Sequence, residues 1–261
     1  MNNYLEVNKS LWNQRTLSHI GSDFYDVEGW LKGRSLMSEI EVEPMGDISG
    51  KSILHLQCHF GQDTLTMARK GASVTGVDLS ENAIAEAKKL AERAGLEGRF
   101  ICCDLYNLPN YLDEQFDIVF SSYGTIGWLP DIQKWASIVA QYLKPGGSFH
   151  FAEFHPAIWM YDDALENIAY SYFNKGAIIE AEEGTYADKD ADINLDAVTW
   201  NHTIGDVVTA LLKEGLQITA LQEYDKSPFD IFQNTTEKDG WYYPKGLEGK
   251  LPLVYYVEAR K

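Results

Sequence analysis

The chain is poor in basic residues for its size. Its 261 residues include 22 Lys and Arg against 39 Asp and Glu, which gives a net charge of −17 at pH 7. Proteins that bind nucleic acid usually present basic patches to the phosphate backbone, and no such patch is visible in this sequence. We therefore expect no nucleic-acid partner.

Cysteines and long apolar segments are also scarce. Three cysteines, Cys58, Cys102 and Cys103, make no disulfide framework, which fits a reducing compartment. The sequence has no long uncharged apolar run of the kind that predicts a transmembrane helix. The segment Met1–Glu6 lacks the basic and apolar regions of a signal peptide. These absences predict a cytoplasmic protein that does not associate with a membrane.

A regular alternation of strand and helix patterns begins at residue 51. Apolar runs predict strands near 52–57, 73–77, 99–103, 116–121 and 147–154. Helical spacing and capping residues predict helices near 62–70, 81–94 and 131–143, with a further helix, a strand near 216–223 and a last strand at 253–259. Alternation of this kind predicts a parallel sheet with helices on both faces.

The first predicted strand and its loop, Ile53–Gly61, carry the clearest functional signal. A helix pattern opens directly after Gly61, so free backbone N–H groups at its start can hold a ligand. Gly61 lets the backbone approach that ligand closely. The second strand ends at Asp78, and an acid at this distance binds ribose hydroxyls in nucleotide-binding folds. The pattern indicates a site for a nucleoside cofactor.

At these residues the chain resembles the class I S-adenosylmethionine-dependent methyltransferases. The family's first motif has three alternate glycines, and Gln57, His59 and Gly61 occupy those positions here, while His55 replaces the usual acid. The later motifs follow in the family's order, at Val77–Ser80, Cys103–Leu105, Phe116–Ser122 and Leu143–Gly147. The resemblance covers about residues 50–155. The His-Leu-Gln-Cys loop and the stretch Ser122–Asp131 match one subgroup of the family.

This resemblance implies an enzyme that transfers a methyl group from S-adenosylmethionine to a small-molecule acceptor. The implied fold is α/β, a doubly wound, Rossmann-like seven-stranded sheet whose last strand is antiparallel. The family's signature for methylating amino groups of bases, Asn or Asp followed by Pro, Pro and an aromatic residue, is absent after the fourth strand. The implied cofactor-binding residues are Gln57, Cys58, His59, Gly61, Asp78, Leu79, Asp104, Leu105, Ser121 and Ser122.

A catalytic base is needed only where the acceptor must lose a proton. His155 is the first candidate, because it follows the fifth strand and should lie at the ligand edge of the sheet. Glu153 and His202 are alternatives, and a structural hydrogen bond is an open interpretation for each.

Two groups of residues invite a metal-site interpretation that we do not adopt. His55, Cys58 and His59 lack a further cluster of donors. The acids from Asp188 to Asp192 resemble the start of a calcium loop. However, that loop requires Gly and Glu where this chain has Ile193 and Thr199. We expect no metal.

We expect a single domain, 1–261, in four parts. Residues 51–155 form the cofactor-binding core, and 202–261 form a C-terminal helix and strand hairpin. The N-terminal helical cap at 1–50 and the insertion at 156–201 are rich in aromatic residues, suited to shielding methyl transfer from water.

Two other functions stay open at this level. A nicotinamide-dependent oxidoreductase would need Gly-x-Gly-x-x-Gly after the first strand, and the chain lacks it. A non-catalytic module that binds S-adenosylmethionine is compatible with the substituted glycines at Gln57 and His59.

Overall fold

A computed structural model describes residues 3–162 and 164–261 of the chain. Met1 and Asn2 of the predicted cap and Asp163 of the predicted insertion lie outside the described residues. The strands are β1 (Ser52–Leu56), β2 (Ser73–Asp78), β3 (Arg99–Cys102), β4 (Phe116–Ser122), β5 (Leu143–Phe154), β6 (Ile178–Glu183), β7 (Asn194–Thr199), β8 (Gln217–Tyr224), β9 (Thr235–Lys238), β10 (Trp241–Pro244) and β11 (Val254–Arg260). The helices are α1 (Tyr4–His19), α2 (Val27–Leu31), α3 (Glu39–Met45), α4 (Gln62–Arg69), α5 (Glu81–Ala94), α6 (Ile132–Tyr142) and α7 (Ile204–Lys213).

Seven strands form one sheet in the order β3-β2-β1-β4-β5-β11-β8. Strands β1 to β5 pair in parallel, whereas β11 runs antiparallel to both β5 and β8. The prediction of a seven-stranded α/β sheet with an antiparallel last strand is therefore confirmed. Because the order reverses beside β1, the carboxyl ends of β1 and β4 open into a crevice where such folds bind ligands.

Helices cover both faces of this sheet. On one face, α6 and α7 pack on the sheet around Trp135 and Leu211, both fully buried. On the other face, α5 packs on β2 and β3 and buries Ile84, Ala87 and Leu90. The α5 helix begins after Ser80, whose side chain accepts a hydrogen bond from the Ala83 N–H and so caps the helix.

The predicted element boundaries hold closely, with one difference at β5. This strand begins at Leu143 rather than near residue 147, because Leu143 already pairs with Phe116. A register shift then follows before Ile118 pairs with Ser148. The helix before it accordingly ends at Tyr142.

The N-terminal helix and the insertion contact each other above the sheet. The strands β6 and β7 form an antiparallel hairpin, and α1 packs against β7. The buried Asn8 side chain donates to the Val198 carbonyl at 2.8 Å and accepts from the Val198 N–H at 2.9 Å. The amide thus satisfies a backbone N–H and C=O that the hairpin leaves unpaired. Across the described ranges, no helix is long and apolar enough to cross a membrane.

Candidate functional site

A cavity of about 690 Å³ lies at the carboxyl ends of β1, β2 and β4. Its wall contains strand-end residues such as Cys58, Asp78 and Ser122. It also contains Trp12 and Arg15 from α1, Glu182 and Tyr186 from the insertion, and Phe229 and Phe232 from the loop after β8. Residues 3–50 and the insertion therefore border the same cavity as the sheet.

The loop after β1 has a left-handed backbone at all three positions where the family carries glycine. The φ angles are 54° at Gln57, 51° at His59 and 74° at Gly61. A left-handed conformation costs a residue with a side chain about 1–2 kcal/mol. Hydrogen bonds hold the loop in this shape, from the His59 N–H to Asp78 Oδ2 at 2.8 Å and from Gln57 Nε2 to the Thr125 carbonyl at 2.8 Å. The loop therefore has the backbone conformation expected of glycine at Gln57 and His59, although neither residue is glycine.

Gly61 is the position in this loop where no side chain fits. A Cβ there would lie 2.6 Å from Phe100 Cε1 and 3.0 Å from the Ala87 Cβ. The close packing draws the start of α4 onto α5 and β3. Gly61, Gln62 and Asp63, at the start of α4, border the cavity.

Asp78 ends β2 with its carboxylate held from two sides. Oδ1 accepts from the Ser80 N–H at 2.9 Å and Oδ2 from the His59 N–H at 2.8 Å. Burial raises the pKa of Asp78 to about 6, although these N–H donors oppose the rise. The side chain borders the cavity beside Leu79. A carboxylate in this position can accept further hydrogen bonds from ligand hydroxyls.

The predicted adenine-side residues follow β3. Asp104 and Leu105 both border the cavity. Asp104 also caps a short 3₁₀ helix (Leu105–Asn110) by accepting from the Tyr106 N–H at 3.3 Å. Burial raises the pKa of this carboxyl.

Nine of the ten predicted cofactor-binding residues border the cavity, and Ser121 does not. Ser121 is fully buried, and its Oγ donates to Thr125 Oγ1 at 3.1 Å. Its hydroxyl therefore lies behind the wall that Ser122 and Thr125 form. Side chains alternate along a strand, so adjacent serines at the end of β4 cannot both face the ligand.

The histidine predicted as a base, His155, lies outside the cavity wall that the described residues form. Its Nε2 is 2.7 Å from Glu223 Oε1, and its Nδ1 accepts from the Ala157 N–H at 3.0 Å. Both ring nitrogens are engaged, which favours a structural role.

The two alternative bases border the cavity but are also engaged. Glu153 accepts from the N–H groups of Gly124, Thr125 and Ile126, and so fixes the loop after β4. The Nε2 atom of His202 is 2.7 Å from the Leu129 carbonyl oxygen, and burial lowers the pKa of His202. Among the described residues, no cluster of three or more His, Cys, Asp or Glu side chains could hold a metal ion.

Arg15 is a site residue to which sequence reasoning gave no ligand role. Its side chain is buried, and Nη2 pairs with Glu182 Oε2 at 3.0 Å. The guanidinium lies 5.2 Å from the ring centre of Trp12 and 5.5 Å from that of Trp128. Its Nε is buried and has no hydrogen-bond acceptor among the described atoms. The available signal was the helical spacing of Trp12, Arg15 and His19, which puts them on one face of α1.

A chain of neutral side chains connects α1 to the cofactor loop. His19 Nδ1 is 2.9 Å from His59 Nε2, and His19 Nε2 is 2.7 Å from Thr185 Oγ1. Burial, and after it the Arg15 charge, lowers the pKa of His59 to about 3, and burial also lowers that of His19. Both rings are thus neutral near pH 7. They join α1, the cofactor loop and the insertion without adding charge.

Asp63 and Gln62, at the start of α4, were also missed. Both border the cavity, and Asp63 Oδ1 and Gln62 Oε1 are buried acceptors without a donor in the described structure. Burial raises the pKa of Asp63 to about 6. Polar side chains in the first turn of a helix usually indicate a cap, so their sequence signal was ambiguous.

Comparison with known proteins gives a consistent result. Residues 53–147 match the family model of a methyltransferase domain. The ubiquinone biosynthesis O-methyltransferase of Coxiella burnetii is 30% identical over 138 residues, which is 52% of this chain and 58% of that protein. The chain therefore spans little more than half the length of this curated relative.

Solved structures share the fold at lower identity. An S-adenosylmethionine-dependent methyltransferase from Mesorhizobium loti superposes with a TM-score of 0.58 at 22% identity, covering 88% of this chain and 100% of the other. The DhpI–SAH complex gives a TM-score of 0.57 at 18% identity, covering 100% and 98%. Residues 53–147 thus resemble a methyltransferase domain, and the sheet order and these solved structures show that the chain has the fold of S-adenosylmethionine-dependent methyltransferases.

Proposed function

We propose that this protein transfers a methyl group from S-adenosylmethionine to a small-molecule acceptor. The observation that carries the proposal is the left-handed backbone at Gln57 and His59, where the family's glycines are replaced. Strained backbone tends to occur at ligand sites, so a loop that keeps this shape with bulky residues indicates a ligand site. Asp78 holds the loop through the His59 N–H.

The orphaned polar atoms of the cavity fit an amino-acid zwitterion joined to a nucleoside. Arg15 Nε is a buried donor without an acceptor, and it suits the α-carboxylate of the methionine part. Gln57 Oε1 is a buried acceptor without a donor and suits the α-ammonium. Asp78 would accept from the ribose hydroxyls, and Asp104 with Leu105 would bind the adenine.

The sulfonium supplies an activated methyl group, so the protein has to align donor and acceptor and exclude water. Ser122 and Tyr123 at the end of β4 border the space where the two would meet. The hairpin β6–β7 and helix α1 close that space from above. Glu153, buried and fully hydrogen-bonded, fixes the loop from Gly124 to Ile126 beside it.

Calorimetry with S-adenosylmethionine and formation of S-adenosylhomocysteine with an acceptor panel test the proposal. We expect Asp78→Ala to weaken cofactor binding by about 1.5–3 kcal/mol, the contribution of a charge-assisted hydrogen bond. Asp113→Ala, at an exposed position away from the cavity wall, is the matched control. Binding of NAD in place of S-adenosylmethionine would refute the proposal. Cofactor binding with no turnover on any acceptor would favour a non-catalytic binding module.

A further inference from the structure

The part of the cavity wall beside the ends of β4 and β5 is a chamber built from the rings of five aromatic residues. Tyr123 lies 5.3 Å from Phe154 and 5.2 Å from Phe229 between ring centres, and Phe154 lies 5.7 Å from Phe232. The ring of Trp159 lies 5.8 Å from that of Phe154, and Trp159 is 40% exposed. All five rings border the cavity. The faces of such rings attract cations as well as apolar groups.

Unpaired hydrogen-bond acceptors face the same cavity. Gln62 is 4% exposed, and its Oε1 has no donor among the described residues, as is also true of Asp63 Oδ1. These two oxygens belong to adjacent residues at the start of α4. A buried acceptor without a donor is costly, and a ligand that brings N–H groups removes the cost.

The charge balance of this chamber is negative. The Tyr123 hydroxyl donates to Glu41 Oε2 at 3.2 Å, and burial, followed by the charges of Glu41 and Asp63, holds the pKa of Tyr123 well above its usual value. Burial raises the pKa of Glu41 to about 8 and that of Asp63 to about 6, so Asp63 loses its proton at a lower pH than Glu41 does. The cationic side chains in the described cavity wall are Arg15, paired with Glu182, and Lys189 on the insertion.

We propose that the methyl acceptor is a primary or secondary amine on an apolar or aromatic body. Its nitrogen lies beside Asp63 and Gln62, and its body lies among the rings of Tyr123, Phe154 and Phe229. This inference rests on the proposed function. Glu180 and Glu183 of β6 border the cavity as exposed acids, and they favour the approach of a cation over that of an anion.

The chemistry balances at this site. The bound ammonium first gives one proton to the Asp63 carboxylate. The nitrogen lone pair then forms the N–C bond as the C–S bond breaks, and that electron pair stays on sulfur, which becomes a neutral thioether. The methylated nitrogen carries the positive charge, and the aromatic faces stabilise it.

Binding to the whole chain saturated with S-adenosylhomocysteine tests the acceptor class. Calorimetry compares phenethylamine with 2-phenylethanol and 3-phenylpropionate, and 4-phenylbutylamine with 4-phenylbutanol. We expect each amine to bind at least tenfold tighter than its alcohol, and the carboxylate to bind most weakly. Asp63→Asn should reduce the preference for the amine below threefold, whereas Asp113→Asn, which removes the same charge from an exposed position, should leave it intact.

A second variant, Gln62→Leu, removes the other acceptor oxygen and should also reduce the preference, which covers the case that Asp63→Asn does not fold. Equal or tighter binding of the alcohols, or an amine preference that survives both variants, would overturn the inference. Failure of S-adenosylhomocysteine to bind would instead overturn the proposed function, and this inference with it.

Discussion

At the scale of single residues, the loop from Gln57 to Gly61 contains both residues whose place at the cavity the sequence predicts and backbone conformations that it does not predict. Gly61 and Asp78 have a residue type and a position that predict their place at the cavity, and both border it. The left-handed backbone at Gln57 and His59 could not be predicted from propensity, because side chains disfavour that conformation. It depends on long-range hydrogen bonds to Asp78 and Thr125. Arg15, Asp63 and Gln62 were missed because their role comes from tertiary burial.

Gly61 should be intolerant of any side chain. We expect Gly61→Ala to destabilise the protein by about 1–3 kcal/mol more than Gly246→Ala, the range typical of overpacking. Gly246 has a similar φ of 79° but open space where a Cβ would lie, so the pair isolates the steric cost at Phe100 and Ala87. Chemical denaturation measures both variants. Equal losses would mean that the Gly61 contact relaxes without cost.

Glu41 should make stability depend on pH. Its folded pKa of about 8 exceeds the unfolded value of 4.5, so its stabilising contribution is complete below pH 4.5 and is lost as pH rises through 8. We expect the free energy of unfolding to fall by about 1.4 kcal/mol per pH unit between pH 6.5 and 7.5 from this proton.

Glu41→Gln should flatten that slope, because the amide resembles the protonated acid and has no proton to lose. The buried neutral rings of His19 and His59 act in the opposite direction, but mainly below pH 6.5, where the unfolded rings become charged. Denaturation of both proteins at several pH values gives the comparison. A parallel slope in the variant would assign the pH dependence to other groups.

At the scale of helices and strands, the predicted elements match the structure where the hydrophobic periodicity and the capping residues indicate the same element. The sheet core from β1 to β5 and helix α5 follow from apolar runs, helical spacing and capping residues, and their bounds differ from expectation by a few residues. The hairpin β6–β7 was not predicted as strands. Its acids Glu180, Glu182 and Glu183 give it no apolar alternation, and it is stabilised by pairing and by contact with α1.

Asn8 is the residue that joins α1 to β7. We expect Asn8→Ala to cost about 1–3 kcal/mol of stability, because it leaves the buried N–H and C=O of Val198 without partners. We also expect turnover to fall more than cofactor affinity, since the proposed ribose and adenine contacts come from the core. Asn110→Ala, at an exposed position, is the control. Full turnover in Asn8→Ala would argue against a covering role for α1.

At the scale of the whole molecule, the chain combines a net charge of −17 with a cavity bordered by several buried or half-buried acids. Asp63 and Asp78 each have a pKa raised to about 6 by burial. An acid whose folded pKa is raised destabilises the fold above that pKa, so both carboxylates oppose folding near pH 7. A ligand that donates hydrogen bonds to them offsets this cost.

Cofactor affinity should therefore depend on pH through Asp78. In the proposed binding mode the charged carboxylate accepts from the ribose, so protonation below its pKa of about 6 would compete with binding. We expect S-adenosylhomocysteine to bind roughly tenfold more weakly at pH 5 than at pH 8, as one pH unit below the pKa implies. Asp78→Asn should show weak, nearly pH-independent affinity. An unchanged pH profile in the variant would remove Asp78 from the binding site.

Binding of S-adenosylmethionine through Asp78 and the loop from Gln57 to Gly61 underlies every functional proposal for this cavity. Calorimetric titration of the wild type and Asp78→Ala with S-adenosylmethionine, with NAD as the comparison ligand, is the decisive test. We expect micromolar affinity for the wild type, on the order of −8 kcal/mol. We also expect at least tenfold weaker binding by an Asp78→Ala variant that remains folded, and no heat with NAD. No binding of S-adenosylmethionine at high micromolar concentration, or equal affinity in the two proteins, would show that this cavity does not hold the cofactor in this way.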